Sequence, residues 1–299
     1  MIAADAYAGA IELQVPFAPT PREPGAGGGG ARHEVLEWLL SEHARSLPAP
    51  TSEEEIDLLI RDLLTIRRSA AVPRRVQTCL DEHLAGQARA RGSVSPSEIL
   101  AAPGHLSIAG TPVRVWQGDI TRLAVDAIVN AANAELLGCF RPGHACIDNA
   151  IHRAAGPRLR ADCARIIEIQ GRPERSGEAK ITRAYHLPSR FVLHTVGPIV
   201  AGGHVPPEDE RTLAAAYVSC LELARTIPTV RTLAFCAIST GVFGYPKAEA
   251  CEIAVSEVVR WLDARALPER VVFCCFDAED TRLYTRRLGG GLKPGDART

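Results

Sequence analysis

Two periodicities divide the chain. In its first third, apolar residues recur at helical spacing over Glu34 to Ser46 (EVLEWLLSEHARS) and Ser52 to Ser69 (SEEEIDLLIRDLLTIRRS), which predicts two amphipathic helices. The second has its own start and stop signals: Thr51 or Ser52 as N-cap, glutamates in the first turn, and Arg67 and Arg68 near the far end. The run PTPREPGAGGGG from Pro19 to Gly30 cannot hold regular structure cheaply and reads as a flexible connector. After Gly104 the texture changes. Short β-branched or apolar runs predict strands at Val113–Gln117, Ala127–Asn130, Ala179–Thr182, Phe191–Thr195, Thr232–Ala237 and Val271–Phe276. Helical patterns intervene at about Asp148–Ala155, Arg158–Ile169, Glu210–Thr226 and Lys247–Ala264, without an internal repeat. Alternation of this kind predicts an α/β fold, with a mostly parallel or mixed sheet between helices.

Composition narrows the function classes. Hydrophobic residues at 46% and charged residues at 23% are ordinary globular usage, so the chain is long enough and apolar enough for a real core. Lys plus Arg (34) balance Asp plus Glu (35), so no overall field collects nucleic acid or an anionic membrane. An anionic ligand has to be held locally. The nine cysteines lack the dense spacing of a secreted disulfide framework, and Cys220, Cys236, Cys251, Cys274 and Cys275 sit in apolar runs as small hydrophobes. No basic leader precedes an apolar run, and no stretch approaches the roughly 18 apolar residues of a membrane span, so a cytoplasmic protein is expected.

The candidate chemistry sits at predicted strand ends, where open α/β sheets bind ligands. GDIT (118–121) brings Asp119, an acceptor for an amino group or a sugar; DAIVNAAN (126–133) brings Asn133, which donates and accepts at once. Local turn chemistry is the rival account of both. AISTGVFGYP (237–246) offers backbone N–H groups, the hydroxyls of Ser239 and Thr240, and Gly241 and Gly244 where an anion can approach the backbone. It lacks the spacing and lysine of a P-loop, and a simple strand-to-helix turn is the alternative. LGCFRPGHACIDNAIH (137–152) gathers Cys139, His144 and Cys146 just before a helix with Asp148 in its first turn. Three such ligands suit a metal with an open position, or else each has a separate packing or loop role. His186, His194 and His204 offer themselves as a fourth ligand, although His194 lies in an apolar strand and reads as a core histidine. Arg153, Arg158 and Arg160 near the helix start read as solvated surface, with contact to phosphate or substrate protein as the alternative.

In their order and spacing, GDIT, VDAIVNAAN, IDNAIHRAAGP, HTVGP and STGVFGYP resemble a macrodomain, the ADP-ribose-binding α/β/α fold, from about Val113 to Tyr284. The resemblance implies a three-layer α/β/α macrodomain with a mixed central sheet over residues 105–299 and an N-terminal helical extension over residues 1–104. GCFRPGHACIDN stands where hydrolytic members carry a glycine run. That loop and the helical extension are similar to the zinc-containing macrodomains associated with class M sirtuins. What this implies is a zinc-dependent protein ADP-ribosyl hydrolase that cleaves ADP-ribose from side chains, as carboxylate esters, and so reverses a partner ADP-ribosyltransferase. Position by position, Asp119 is expected at the adenine amino group, Ile120 against the adenine site and Phe276 as its aromatic wall. Asn133 and Asp148 are expected at the distal ribose as the catalytic pair. Ser239, Thr240, Gly241, Val242, Phe243 and Gly244 would wrap the diphosphate and distal ribose, while Cys139, His144 and Cys146 would hold Zn2+. Rival readings are an ADP-ribose reader without turnover, an O-acetyl-ADP-ribose deacetylase, and an interaction module that docks through its N-terminal helices.

Overall fold

The computed structural model describes residues 2–21, 30–43, 49–101, 105–108, 110–265 and 267–289. Residues 22–29 of the expected connector, 44–46 of the first expected helix and 102–104 at the expected boundary lie outside them. Among the described residues, five helices precede the sheet: α1 (Asp5–Ala8), α2 (Ala31–His43), α3 (Glu53–Ile66), α4 (Arg74–Arg91) and α5 (Pro96–Ala101). At the start of α3, Ser52 Oγ accepts from the Glu55 N–H at 3.2 Å, and the Glu55 carboxylate accepts from the Thr51 N–H at 2.6 Å, a reciprocal cap. The sequence reading missed α4, whose many charged residues mask Val76, Leu80 and Leu84 at every fourth position. Those three, with Val35, Leu39, Ile56, Ile60 and Leu63, form a core belonging to α2, α3 and α4 alone.

The sheet has seven strands: β1 (His105–Ile108), β2 (Thr111–Gln117), β3 (Ala127–Ala131), β4 (Ala179–Arg183), β5 (Phe191–Thr195), β6 (Thr232–Phe235) and β7 (Arg270–Cys275). Their order is β1-β2-β7-β6-β3-β5-β4. β2, β7, β6, β3 and β5 run parallel, while β1 and β4 lie antiparallel at the two margins. The parallel strands are buried on both faces by residues such as Ile128, Val129, Val192, Leu193, Leu233, Phe235, Val271 and Phe273, which is why they read as apolar runs rather than alternations. β6 and β7 end earlier than expected. β6 stops at Phe235 rather than Ala237, and β7 at Cys275 rather than Phe276, where the Gly118 N–H donates to the Cys275 carbonyl in a last rung of 2.9 Å. The released residues join the loops beyond.

Helices α6 (Ile147–Ala155) and α7 (Pro157–Gln170) cover one face, and α8 (Pro207–Arg225), α9 (Lys247–Ala264) and α10 (Ala278–Gly289) the other, so the layers are helix, sheet, helix. α3 and α4 pack on α6. The N-terminal segment also enters the main core through Tyr7, Ile11 and Leu13, and Tyr7 Oη accepts from the Ile181 N–H of β4 at 3.0 Å. Asp81 of α4, 1% exposed, completes the joint: it accepts from Arg158 Nη1 (2.7 Å), His186 Nε2 (3.0 Å), Gln77 Nε2 (2.9 Å) and the Thr20 N–H (2.7 Å). Among the described residues, no helix is long and apolar enough to cross a membrane.

Candidate functional site

The parallel strands deliver their C-terminal loops to one end of the sheet, the place where a ligand crevice is expected in this architecture. Three of these loops turn large apolar side chains outward: Ile199 after β5 is 69% exposed, Val242 after β6 is 68% and Phe276 after β7 is 81%. Apolar side chains held out of the core at one end of a sheet mark a contact surface.

After β2, Asp119 caps a short 3-10 turn. A single oxygen, Oδ1, accepts from both the Thr121 N–H (2.9 Å) and Thr121 Oγ1 (2.7 Å), which leaves Oδ2 outside the turn. Ile120 is 3% exposed and packs in the main core. After β6, Ser239 has a φ of 65°, and its hydroxyl is buried without a partner. The loop closes on itself through Tyr245 N–H to Ser239 O (3.0 Å) and Gly244 N–H to Gly241 O (3.1 Å), while Val200 N–H holds Phe243 O at 2.8 Å. Thr240 Oγ1 faces the Ala237 carbonyl at 3.4 Å. Gly197 lies so close beneath that a Cβ there would sit 2.0 Å from Ser239 Oγ.

Between these loops lies a buried polar corner. Asn130, fully buried on β3, donates from Nδ2 to Asp148 Oδ1 at 2.8 Å and faces His194 Nδ1 at 3.1 Å. That nitrogen of His194 therefore accepts, and its Nε2 donates to Thr182 Oγ1 at 3.0 Å, a chain that fixes the imidazole tautomer. Burial pushes the Asp148 carboxyl up to about 6 against the opposing pull of the Asn130 amide, Arg160 and the Asn133 N–H. Burial likewise holds His194 down at about 3 and His152 well below the usual imidazole range, so both rings are neutral near pH 7. Asn133 Nδ2 donates to the Gly138 carbonyl at 3.0 Å, and its Oδ1 is buried without a partner. Asn133 Oδ1 is thus a buried acceptor in want of a donor, and Ser239 Oγ a buried hydroxyl that can donate or accept.

The 137–146 loop folds over this corner. Gly138 has a φ of 80°, and a Cβ there would meet the His152 ring at 2.8 Å, so only glycine lets the loop descend. Asn149 then organises the loop from α6: its Nδ2 donates to the carbonyls of Arg141 (3.3 Å) and His144 (3.0 Å), and its N–H is capped by Cys146 Sγ at 3.4 Å. The result brings Cys139 Sγ to 3.4 Å from His144 Nδ1, with donor atoms of Cys139, His144 and Cys146 all within 4.8 Å of one another. Two thiols and an imidazole are a donor set that zinc favours. Among the described residues no fourth His, Cys, Asp or Glu joins them. His186 is bound to Asp81 and His204 is exposed. His152, Cys163 and His194 also converge within 4.8 Å, but both nitrogens of His194 are engaged by Asn130 and Thr182, so that group belongs to the core network.

The expectation that Arg153, Arg158 and Arg160 are solvated surface is correct for Arg153 alone. Arg158 pairs with Asp81 at 2.7 Å. Arg160 is 6% exposed and donates to the carbonyls of Leu137 (2.7 Å), Leu64 (3.0 Å) and Arg67. Their distant partners, Thr20 and Asp81 for Arg158 and Leu64 for Arg160, lie 138, 77 and 96 residues away, beyond the reach of local pattern. Asn130 was also missed, although a polar residue closing the apolar run AIVN was a signal that could have found it.

Fold and site together define an α/β/α protein whose polar side chains and outward apolar residues gather at the C-terminal ends of its parallel strands. A profile for the Macro domain matches residues 129–254. The chain is 41% identical over 256 residues to a protein-ADP-ribose hydrolase of Treponema medium, covering 85% of this chain and 96% of the relative. It is 42% identical over 205 residues to a probable bifunctional ADP-ribose hydrolase/ADP-ribosyltransferase of Fusarium oxysporum, covering 66% of this chain and 34% of that one. The Trypanosoma brucei macrodomain in complex with ADP-ribose matches with a TM-score of 0.53 at 27% identity, over 87% of this chain and 96% of that chain. The chain belongs to the Macro domain family.

Proposed function

We propose that this protein is a zinc-dependent hydrolase that removes ADP-ribose from modified protein side chains, carboxylate esters foremost. The observation that carries the reading is that Asp148 accepts from the Asn133 N–H while the Asn133 side chain holds the Gly138 carbonyl at the root of the loop that gathers Cys139, His144 and Cys146. The near full-length likeness to a protein-ADP-ribose hydrolase supports the same conclusion. In this reading Asp119 Oδ2 receives the adenine amino group, Phe276 stacks on the ring, and the backbone over Ser239 to Gly244 wraps the diphosphate. Asn133 Oδ1 accepts from a hydroxyl of the distal ribose.

Hydrolysis adds the oxygen of water to C1″ and breaks the bond from C1″ to the ester oxygen, releasing ADP-ribose and the free side-chain carboxylic acid. Asp148, held by Asn130 and the Asn133 N–H, orients that water and takes its proton. Cys139, His144 and Cys146 would hold the zinc, which when bound supplies a Lewis acid for a ribose hydroxyl or for water. A partner ADP-ribosyltransferase of the class M sirtuin type would install the modification. The Fusarium relative, whose name joins both activities in one chain, supports that pairing.

Elemental analysis of the purified chain, paired with release of ADP-ribose from a carboxylate-linked substrate, tests the reading. Expected are one zinc per chain, and a loss of turnover on the order of 10²–10³-fold after chelation or in Cys139→Ala, the size of a lost Lewis acid. Full turnover without metal would remove zinc from the mechanism. Phe276→Ala is expected to raise the Kd for ADP-ribose by about 5–100-fold, the worth of one base stack, in a calorimetric titration. An unchanged Kd would place the adenine elsewhere.

A further inference from the structure

The N-terminal helices and the Cys139–Cys146 loop meet at one side chain. Arg160, in the first turn of α7, spans from Leu64 O and Arg67 O at the end of α3 to Leu137 O at the start of the loop. Its guanidinium also lies 4.6 Å from the centroid of the Phe140 ring, which stands between Cys139 and Arg141. Both anchor points are fixed from behind. On the helix side, Arg67 binds Glu42 of α2 at 2.6 Å and the carbonyls of Ala70 and Ala71 at 3.1 Å each, with its guanidinium 4.7 Å over Trp38. On the loop side, Leu137 precedes Gly138, whose carbonyl holds Asn133. The last carbonyls of a helix carry the negative end of its dipole, so a buried cation there is favoured without a carboxylate partner.

We propose that Arg160 is a positioning residue: through it the N-terminal helices hold the Cys139–Cys146 loop in its ligand-gathering shape. A single planar fork makes contacts in two directions and stacks on Phe140 at once; a lysine, as a point charge, makes only one of these. The extension is then part of the site's construction, although it contributes no metal ligand and no group to the ribose corner. The consequence for metal affinity rests on the zinc reading above. The shape of the loop does not.

Two measurements on the full chain separate them. One is hydrogen exchange of residues 137–149 in metal-free protein; the other is zinc affinity by competition with a chromophoric chelator. Arg160→Ala is expected to speed exchange across the loop and weaken zinc by about 10–100-fold, as for other residues that orient metal ligands, with Arg160→Lys intermediate. Phe140→Leu, a half-exposed position that leaves the fold intact, is expected to weaken zinc by about 2–5-fold, the scale of one exposed cation–π contact. It keeps the proposal open to refutation if Arg160→Ala does not fold. A wild-type chain without zinc affinity whose loop loosens in Arg160→Ala would leave the positioning role standing and end the zinc reading. Loop exchange and zinc affinity unchanged in folded Arg160→Ala, or in Phe140→Leu where only that variant folds, would overturn the proposal.

Discussion

Asp148→Asn is expected to lower kcat by about 10²–10⁴-fold, the span of a lost general base, while affinity for ADP-ribose holds. The replacement is nearly isosteric, and its Oδ1 can still accept from Asn130 at the position where Asp148 does so at 2.8 Å. Burial disfavours the charged form of Asp148, so a neutral amide relieves a desolvation cost that offsets the loss of one of its two acceptor oxygens. A fall in kcat at unchanged Kd and unchanged urea midpoint therefore reports chemistry alone. Turnover retained in Asp148→Asn would move the base elsewhere. A wild-type chain that binds ADP-ribose and never releases it from a substrate would leave a reader.

The largest expected loss of stability comes from Asp81→Ala, at about 3–5 kcal/mol, the cost of stripping one partner from a buried ion pair. Arg158 and His186 would lose their acceptor, and the Thr20 N–H and Gln77 theirs. Burial alone would raise the Asp81 carboxyl, but hydrogen bonds from His186, the Thr20 N–H and Arg158 outweigh it and hold the group well below the usual carboxylate range. A depressed carboxyl contributes stability that is fully present above its unfolded pKa of roughly 3.9 and is lost as pH falls from there through the folded value. Urea midpoints of the wild type are thus expected to drop more steeply below about pH 4 than those of Asp81→Ala. Parallel slopes would deny Asp81 its role at the joint.

Much of this was legible in the sequence, for identifiable reasons. Parallel strands buried on both faces leave continuous apolar runs, and their C-terminal ends carry the polar motifs, so six strands and the loops bearing Asp119, Asn133 and Ser239 could be read directly. β1, only His105–Ile108, is too short to show a period. α4 and α10 carry their apolar stripes among many charges. Arg160, Arg158 and Asp81 were not legible, because what buries each is a partner from a distant segment. Cysteine and histidine spacing placed the metal candidates in one loop; that Asn149 is the residue which folds that loop is a fact of geometry alone.

The contact between Tyr7 and β4 bears on how the chain avoids its own copies. A marginal strand presents a row of unpaired amides, a template on which another chain can add a strand and aggregate. Here the Ile181 amide of that row is taken by a phenol oxygen rather than by a strand, so pairing is interrupted at that position by a group that cannot propagate it. A chain shortened before Leu13 would lose Tyr7 and Ile11 from the main core and would bare that amide of β4 to another strand.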